Sequence, residues 1–278
     1  MTLRSRRARL SGVDRAWEIV TAGPERAEKT VLLLPGGMIS ARSYAELMAE
    51  PALARTRLLA VTLPGNAGTP PLEDFSIEAS AHALAEFASR SGVDVVVGFS
   101  NGATVAYEMV VSGGFAGPVV LLGISLSARD ESAFFRGMIR LCSVLGTLPI
   151  AFLKKAAGSL IPRASVAPER RDELKADFAR NNAGDLRRAL REYLRWLHRD
   201  DDPARRLCEA GVPAWVVHAE KAGDGGLTPR ERAVLEACSH VRVVTLPGKV
   251  FFIPNEAPDR VAELIVDALG MSGGGAEI

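Results

Sequence analysis

Histidine is scarce in this sequence, four residues among 278, and cysteine is scarcer. Cys142, Cys208 and Cys238 are odd in number, widely spaced and without a CxxC pair. That excludes a disulfide-stapled small domain and a cysteine-based zinc site, and the three read as buried thiols in a reducing compartment. Charge of one sign is also missing. Lys and Arg total 34 against 33 Asp and Glu, so no basic face for nucleic acid is implied. Long apolar runs are absent as well. The uncharged stretch Leu141 to Leu153 is too short to span a bilayer and contains Pro149. The basic opening Met1–Arg9 has no apolar region behind it, so no secretory signal is expected. These features predict a cytoplasmic protein with no membrane span and no nucleic-acid partner. A monomer or homodimer is expected, although no feature of the sequence fixes the oligomeric state.

What is present suits an α/β domain. Apolar residues make up 47% of the chain, enough to build a large core. Short β-branched runs alternate with helical patterns, the signature of a mostly parallel sheet covered on both faces. Predicted strands are Arg15–Thr21 (antiparallel), Thr30–Pro35, Arg57–Leu63, Asp94–Phe99, Pro118–Ile124, Pro213–His218 and Val241–Leu246. Predicted helices are Ala41–Ala49, Ile77–Arg90, Gly102–Val111, Pro229–Ala237 and Pro258–Leu269, the last with Val261, Leu264, Ile265 and Leu269 as its packing stripe. From about Ala128 to Leu207 the alternation stops, leaving only helical patterns such as Glu131–Val144 and Asp172–Trp196. The reading is a core of residues 1–127 and 208–270, an inserted helical cap of residues 128–207 rich in apolar residues (among them Phe134, Phe135, Met138 and Phe152), and a disordered glycine-rich tail, 271–278.

The most informative stretch is Val93-Asp-Val-Val-Val-Gly98-Phe-Ser100-Asn-Gly102. A valine run ends in Gly98-x-Ser100-x-Gly102 and a helical pattern starts at once. Two glycines at this spacing let the backbone turn sharply enough to lift a serine hydroxyl at the strand-to-helix junction. A backbone N–H at the start of the following helix, that of Asn101, then faces any carbonyl oxygen the serine attacks, with the helix dipole adding positive potential.

With Leu34-Pro-Gly36-Gly37, Leu63-Pro-Gly65-Asn-Ala-Gly68 and Leu246-Pro-Gly248-Lys-Val-Phe-Phe beside the elbow, the chain resembles the α/β-hydrolase superfamily in its capped branch, over about residues 15 to 270. The resemblance implies an α/β-hydrolase fold with Ser100 as nucleophile and the Gly37 N–H as the second oxyanion donor. It implies Asp224 as the acid, in the loop after the strand ending at His218, with Glu220 the other carboxylate there. It places the histidine base after the last strand, where this sequence has Val250. Valine cannot accept a proton. The candidates for another base are His218, at the end of a core strand, and Lys249, whose amine would serve if desolvated; His82, His198 and His240 read as structural or surface groups. The expected substrate is a small, largely apolar ester or thioester, with no cofactor and no metal. The alternatives are a non-hydrolytic enzyme (isomerase, lyase or cyclase) in the same pocket and a catalytically dead ligand-binding pseudo-hydrolase.

Overall fold

Thr30–Leu34, Val95–Phe99, Val119–Leu122 and Ala214–Ala219 are buried along their whole length. Strands covered on both faces can afford no polar alternation, which is why they read as continuous apolar runs. Each fully buried valine or leucine there contributes about 1.5–3 kcal/mol of transfer free energy. The structure, a computed structural model, describes residues 4–9, 16–131, 137, 141, 146–148, 166–199, 201–220, 226–248 and 250–272.

The strands are β1 (Arg4–Arg9), β2 (Ala16–Ala22), β3 (Thr30–Leu34), β4 (Arg57–Val61), β5 (Val95–Phe99), β6 (Val119–Leu122), β7 (Ala214–Ala219) and β8 (Val241–Leu246). They form one sheet of 8 strands in the order β1-β2-β4-β3-β5-β6-β7-β8. Pairing is antiparallel at β1–β2 and β2–β4 and parallel from there on. The seven strands read from the sequence are all present. β1 is an addition, because Arg-Ser-Arg-Arg-Ala-Arg offers no apolar alternation and an edge strand needs none.

The helices are α1 (Ala45–Met48), α2 (Ile77–Ser91), α3 (Asn101–Val111), α4 (Pro168–Arg180), α5 (Ala183–Leu197), α6 (Pro203–Glu209), α7 (Pro229–Glu236), α8 (Ile253–Glu256) and α9 (Pro258–Met271). One face of the sheet packs Leu84 of α2, Val105 of α3, Trp196 of α5, Leu207 of α6 and Leu235 of α7. The other packs Leu47 of α1, Leu174 of α4, and Val261 and Ile265 of α9. The predicted helix Ala41–Ala49 is a 3-10 turn, Ala41–Tyr44, followed by the single turn α1, and neither has a side-chain N-cap. The pattern over Asp172–Trp196 is two helices, broken where Asn182 caps α5 by accepting from the N–H groups of Gly184 and Asp185. Glu131–Val144, the apolar residues quoted for the cap and Cys142 lie almost wholly outside the described residues.

One expectation is corrected. Cys208 and Cys238 are not separate thiols but a disulfide, 30 residues apart in sequence and 5.9 Å apart at Cα. The spacing gave no sign of it because α6 and the end of α7 come together only through the intervening β7. Among the described residues no helix is long and apolar enough to cross a membrane.

Candidate functional site

Ser100 stands between β5 and α3 with φ 50° and ψ −118°. A non-glycine residue holds such geometry at a cost on the order of 1–3 kcal/mol, so its surroundings must fix it. They do so from both sides. Ser100 N–H donates to Leu122 O at 2.8 Å, and Ser100 O accepts from Ala103 N–H at 2.8 Å and Thr104 N–H at 3.1 Å. The flanking glycines are dictated by contact. A methyl group on Gly98 would lie 2.3 Å from Gly102 O, and one on Gly102 would lie 2.1 Å from Leu34 O. That carbonyl is itself held by the buried Tyr44 hydroxyl, which donates to it at 2.8 Å. Gly102→Ala is therefore expected to cost about 3 kcal/mol, the upper part of the overpacking range, read as a lowered midpoint of urea unfolding. An unchanged midpoint would mean that the turn yields to the added methyl group.

The turn after β3 comes up against the elbow. A methyl on Gly37 would lie 3.6 Å from Asn101 Cβ, so Gly37 and Asn101 are neighbours. Among the described residues neither of their N–H groups has an acceptor, whereas Met38 N–H is taken by Asn66 Oδ1 at 2.7 Å. The Ser100 side chain is exposed and makes no hydrogen bond among the described residues. The structure thus brings Ser100, Gly37 and Asn101 together. Beside them, Met38 packs on Leu186 and Leu190 of α5, with Leu194 at the edge of the same cluster.

The loop after β8 also reaches the elbow. Phe252 packs on Phe99, the residue before Ser100, with ring centroids 6.2 Å apart. Glu256 Oε1 accepts from the N–H groups of Phe251 and Phe252 at 2.9 and 2.6 Å, and Glu220 accepts from Gly248 N–H at 3.0 Å. Val250 lies half-buried in this braced loop, against the apolar cluster that contains Phe99. Asp224 and Lys249 lie outside the described residues.

None of the four imidazoles bonds to Ser100. Phe99 pairs with Leu122 and Leu122 with Val217, so Ser100, Gly123 and His218 stand level on three neighbouring strands. Two strand spacings put Ser100 and His218 roughly 10 Å apart at Cα. His218 is 4% exposed and both its ring nitrogens lack partners. Burial, aided by the charge of Arg232, lowers its pKa to about 4, so it is neutral at pH 7. His82 faces Glu86 on α2 at 3.3 Å, His198 Nδ1 meets Leu194 O at 2.8 Å at the end of α5, and His240 precedes β8.

Several polar residues here carry little signal in the sequence. Asn66 and Asn181 are 5% and 2% exposed and hold the Met38 turn. Their one sequence signal was an Asn beside Gly65 and an Asn-Asn pair between two helical patterns. Asp130, in the loop after β6, accepts from the N–H groups of Leu126 and Ser127 at 2.9 and 2.8 Å. Burial and the Glu231 carboxylate raise its pKa to about 7. Tyr193 of α5 donates to Glu131 Oε1 at 2.5 Å, and burial raises the phenol well above its ordinary range.

The model of the alpha/beta hydrolase family matches residues 31–264. No curated protein matches the chain. Among solved structures, Cfl2 wild-type from Burkholderia cenocepacia is 22% identical, covers 95% of both chains and has a TM-score of 0.73. A thioesterase domain from the curacin biosynthetic pathway is 18% identical, covers 96% of this chain and 100% of its own, and has a TM-score of 0.68. A putative aryl esterase from Burkholderia cenocepacia is 16% identical, covers 97% and 99%, and has a TM-score of 0.74. At these identities the likeness is one of fold.

Proposed function

The chain belongs to the alpha/beta hydrolase family, and from that premise we propose that it acts through Ser100 on small, largely apolar esters or thioesters. The observation that carries the reading is a strained, exposed serine beside two N–H groups without acceptors. A carbonyl oxygen seated against Gly37 and Asn101 N–H gains negative charge as the serine attacks, and donors fixed in advance stabilise that charge at no reorganisation cost. Ser100 Oγ bonds to the carbonyl carbon, the alkoxide or thiolate leaves, and the serine proton ends on the leaving group. Water then cleaves the acyl-serine, releasing the acid and restoring the hydroxyl. The apolar cluster of Met38, Leu186 and Leu190 beside the Gly37 turn supports an apolar substrate, which the proposed cap of residues 128–207 would cover.

Asp224 is the proposed acid, and Val250 occupies the place of the usual base. His218 does not replace it, because it lies two strands away and is a weak base. Lys249 remains the other protein base within the proposal, and without it the proton passes to water or to the substrate itself. Slow turnover follows, since losing the histidine of such a triad costs on the order of 10⁶-fold. A cytoplasmic location and a monomer or homodimer belong to the same proposal, although the Cys208–Cys238 bond removes the thiol argument for the first.

A second reading is favoured by the absence of any imidazole bonded to Ser100. The oxyanion site would then polarise a carbonyl without covalent attack, as in an isomerase, lyase or cyclase, or would only bind a ligand. Exposure to a fluorophosphonate separates the two. We expect one adduct by intact mass, within hours, on the wild type and none on Ser100→Ala. A wild type that stays unlabelled leaves the non-covalent reading.

A further inference from the structure

The turn that carries Gly37 is held from outside by two buried carboxamides. Met38 has φ 69°, a left-handed conformation that a side chain disfavours. Both of its peptide groups are occupied. Its N–H donates to Asn66 Oδ1 at 2.7 Å, and its carbonyl accepts from Asn181 Nδ2 at 2.8 Å. Asn66 comes from the loop after β4. Asn181 comes from the end of α4, 143 residues along the chain from Met38. The two clamps are joined, because Asn181 Oδ1 accepts from Ala67 N–H at 2.9 Å. One turn earlier on α4, the buried Asp177 accepts from Ser40 N–H at 2.7 Å. The end of α4 therefore grips residues 38, 40 and 67 together, and the turn cannot move without leaving buried polar groups unpaired.

This grip leaves Gly37 N–H as a donor without an acceptor, beside Asn101. We propose that Asn66 and Asn181 are positioning residues of the oxyanion site, so that seating of α4 holds the Gly37 and Asn101 N–H groups in register. The inference rests on the oxyanion roles proposed above for Gly37 and Asn101. A lifted α4 withdraws Asn181 and Asp177 at once and takes the oxyanion site apart.

The test uses the full chain and a fluorophosphonate, with inactivation resolved into a binding constant and a rate at saturation. Asn181→Ala and Asn66→Ala should each lower the saturated rate at least tenfold, with the binding constant moving less than about twofold. Asn66→Asp keeps an oxygen for Met38 N–H and should recover most of the rate, which a general loss of stability would not allow. Arg170→Ala removes a contact at the opposite end of α4, the Arg170–Glu46 pair at 2.8 Å; it should leave the rate within about twofold, because Leu174 in the core, Asp177 and Asn181 still seat the helix. Wild-type rates in both alanine variants would overturn the proposal, and the Asn66→Ala and Asn66→Asp pair decides it if Asn181→Ala does not fold. Should the wild type itself resist the probe, the oxyanion reading fails separately. The clamp is then read by amide hydrogen exchange, where Asn181→Ala must speed exchange at Met38 and Ser40. Unchanged protection there would overturn it.

Discussion

Val250→His is expected to raise hydrolysis of a short p-nitrophenyl ester on the order of 10³-fold, about 4 kcal/mol of barrier. A serine hydroxyl is a very weak acid, and the proton must leave as the C–O bond forms, so an acceptor within hydrogen-bonding reach changes the reaction more than any other single group. The loop is ready for the larger side chain. Val250 is half-buried and not sealed in the core. The loop is braced through Gly248 N–H to Glu220, through Glu256 to Phe251 and Phe252, and through the Phe252 ring on Phe99. The gain should be smaller than the full value of a triad, because nothing has selected the orientation of the new ring. Its rate should climb with pH through roughly 6–7 as the imidazole becomes neutral. The double change Ser100→Ala with Val250→His should abolish the gain. A folded Val250→His protein no faster than that double variant would sink the assignment of Val250 to the base position, or of Asp224 to the acid.

Much of this site is legible in the sequence because it is local. Gly98, Ser100 and Gly102 lie on one turn, and the clash distances at the two glycines depend only on that turn and on the end of β3. The parallel strands are equally plain, since burial on both faces leaves nothing but apolar residues. What stays hidden is what distant segments do to one another. Asn181 and Met38 are far apart in sequence and meet because α4 returns over the turn after β3. Cys208 and Cys238 meet because α6 and α7 flank β7. A lone Asn or Cys in a sequence carries no mark of such a meeting. In the sequence His218 stands out for its place at a strand end, but only the sheet register shows that Gly123 intervenes between it and Ser100.

His218 also bears on stability, because its imidazole is buried without a partner. In the folded chain its pKa is about 4 against an ordinary 6.5, through burial first and Arg232 second. Between those values the unfolded chain binds a proton that the folded chain refuses. The stability due to His218 is therefore complete above pH 6.5 and is lost as the pH falls through about 4, about 3 kcal/mol over the full span. Asp130 opposes it. Its pKa rises from 3.8 to about 7 by burial first and the Glu231 charge second, so its contribution is complete below pH 3.8 and is lost as the pH rises toward 7. Asp130 is only partly buried, so solvent screening makes its effect the smaller. Urea unfolding between pH 4.5 and 7.5 at fixed ionic strength should thus show wild-type stability declining toward acid. His218→Leu should lose that decline, and Asp130→Asn should steepen it. At pH 7 His218→Leu should equal the wild type or exceed it by about 1 kcal/mol, since it removes two buried nitrogens without partners. Acid curves that run parallel in wild type and His218→Leu would mean that the imidazole reaches solvent. A tenfold or greater loss of fluorophosphonate labelling in His218→Leu, with stability intact, would instead restore the imidazole as the missing base and reverse the proposal made for Ser100.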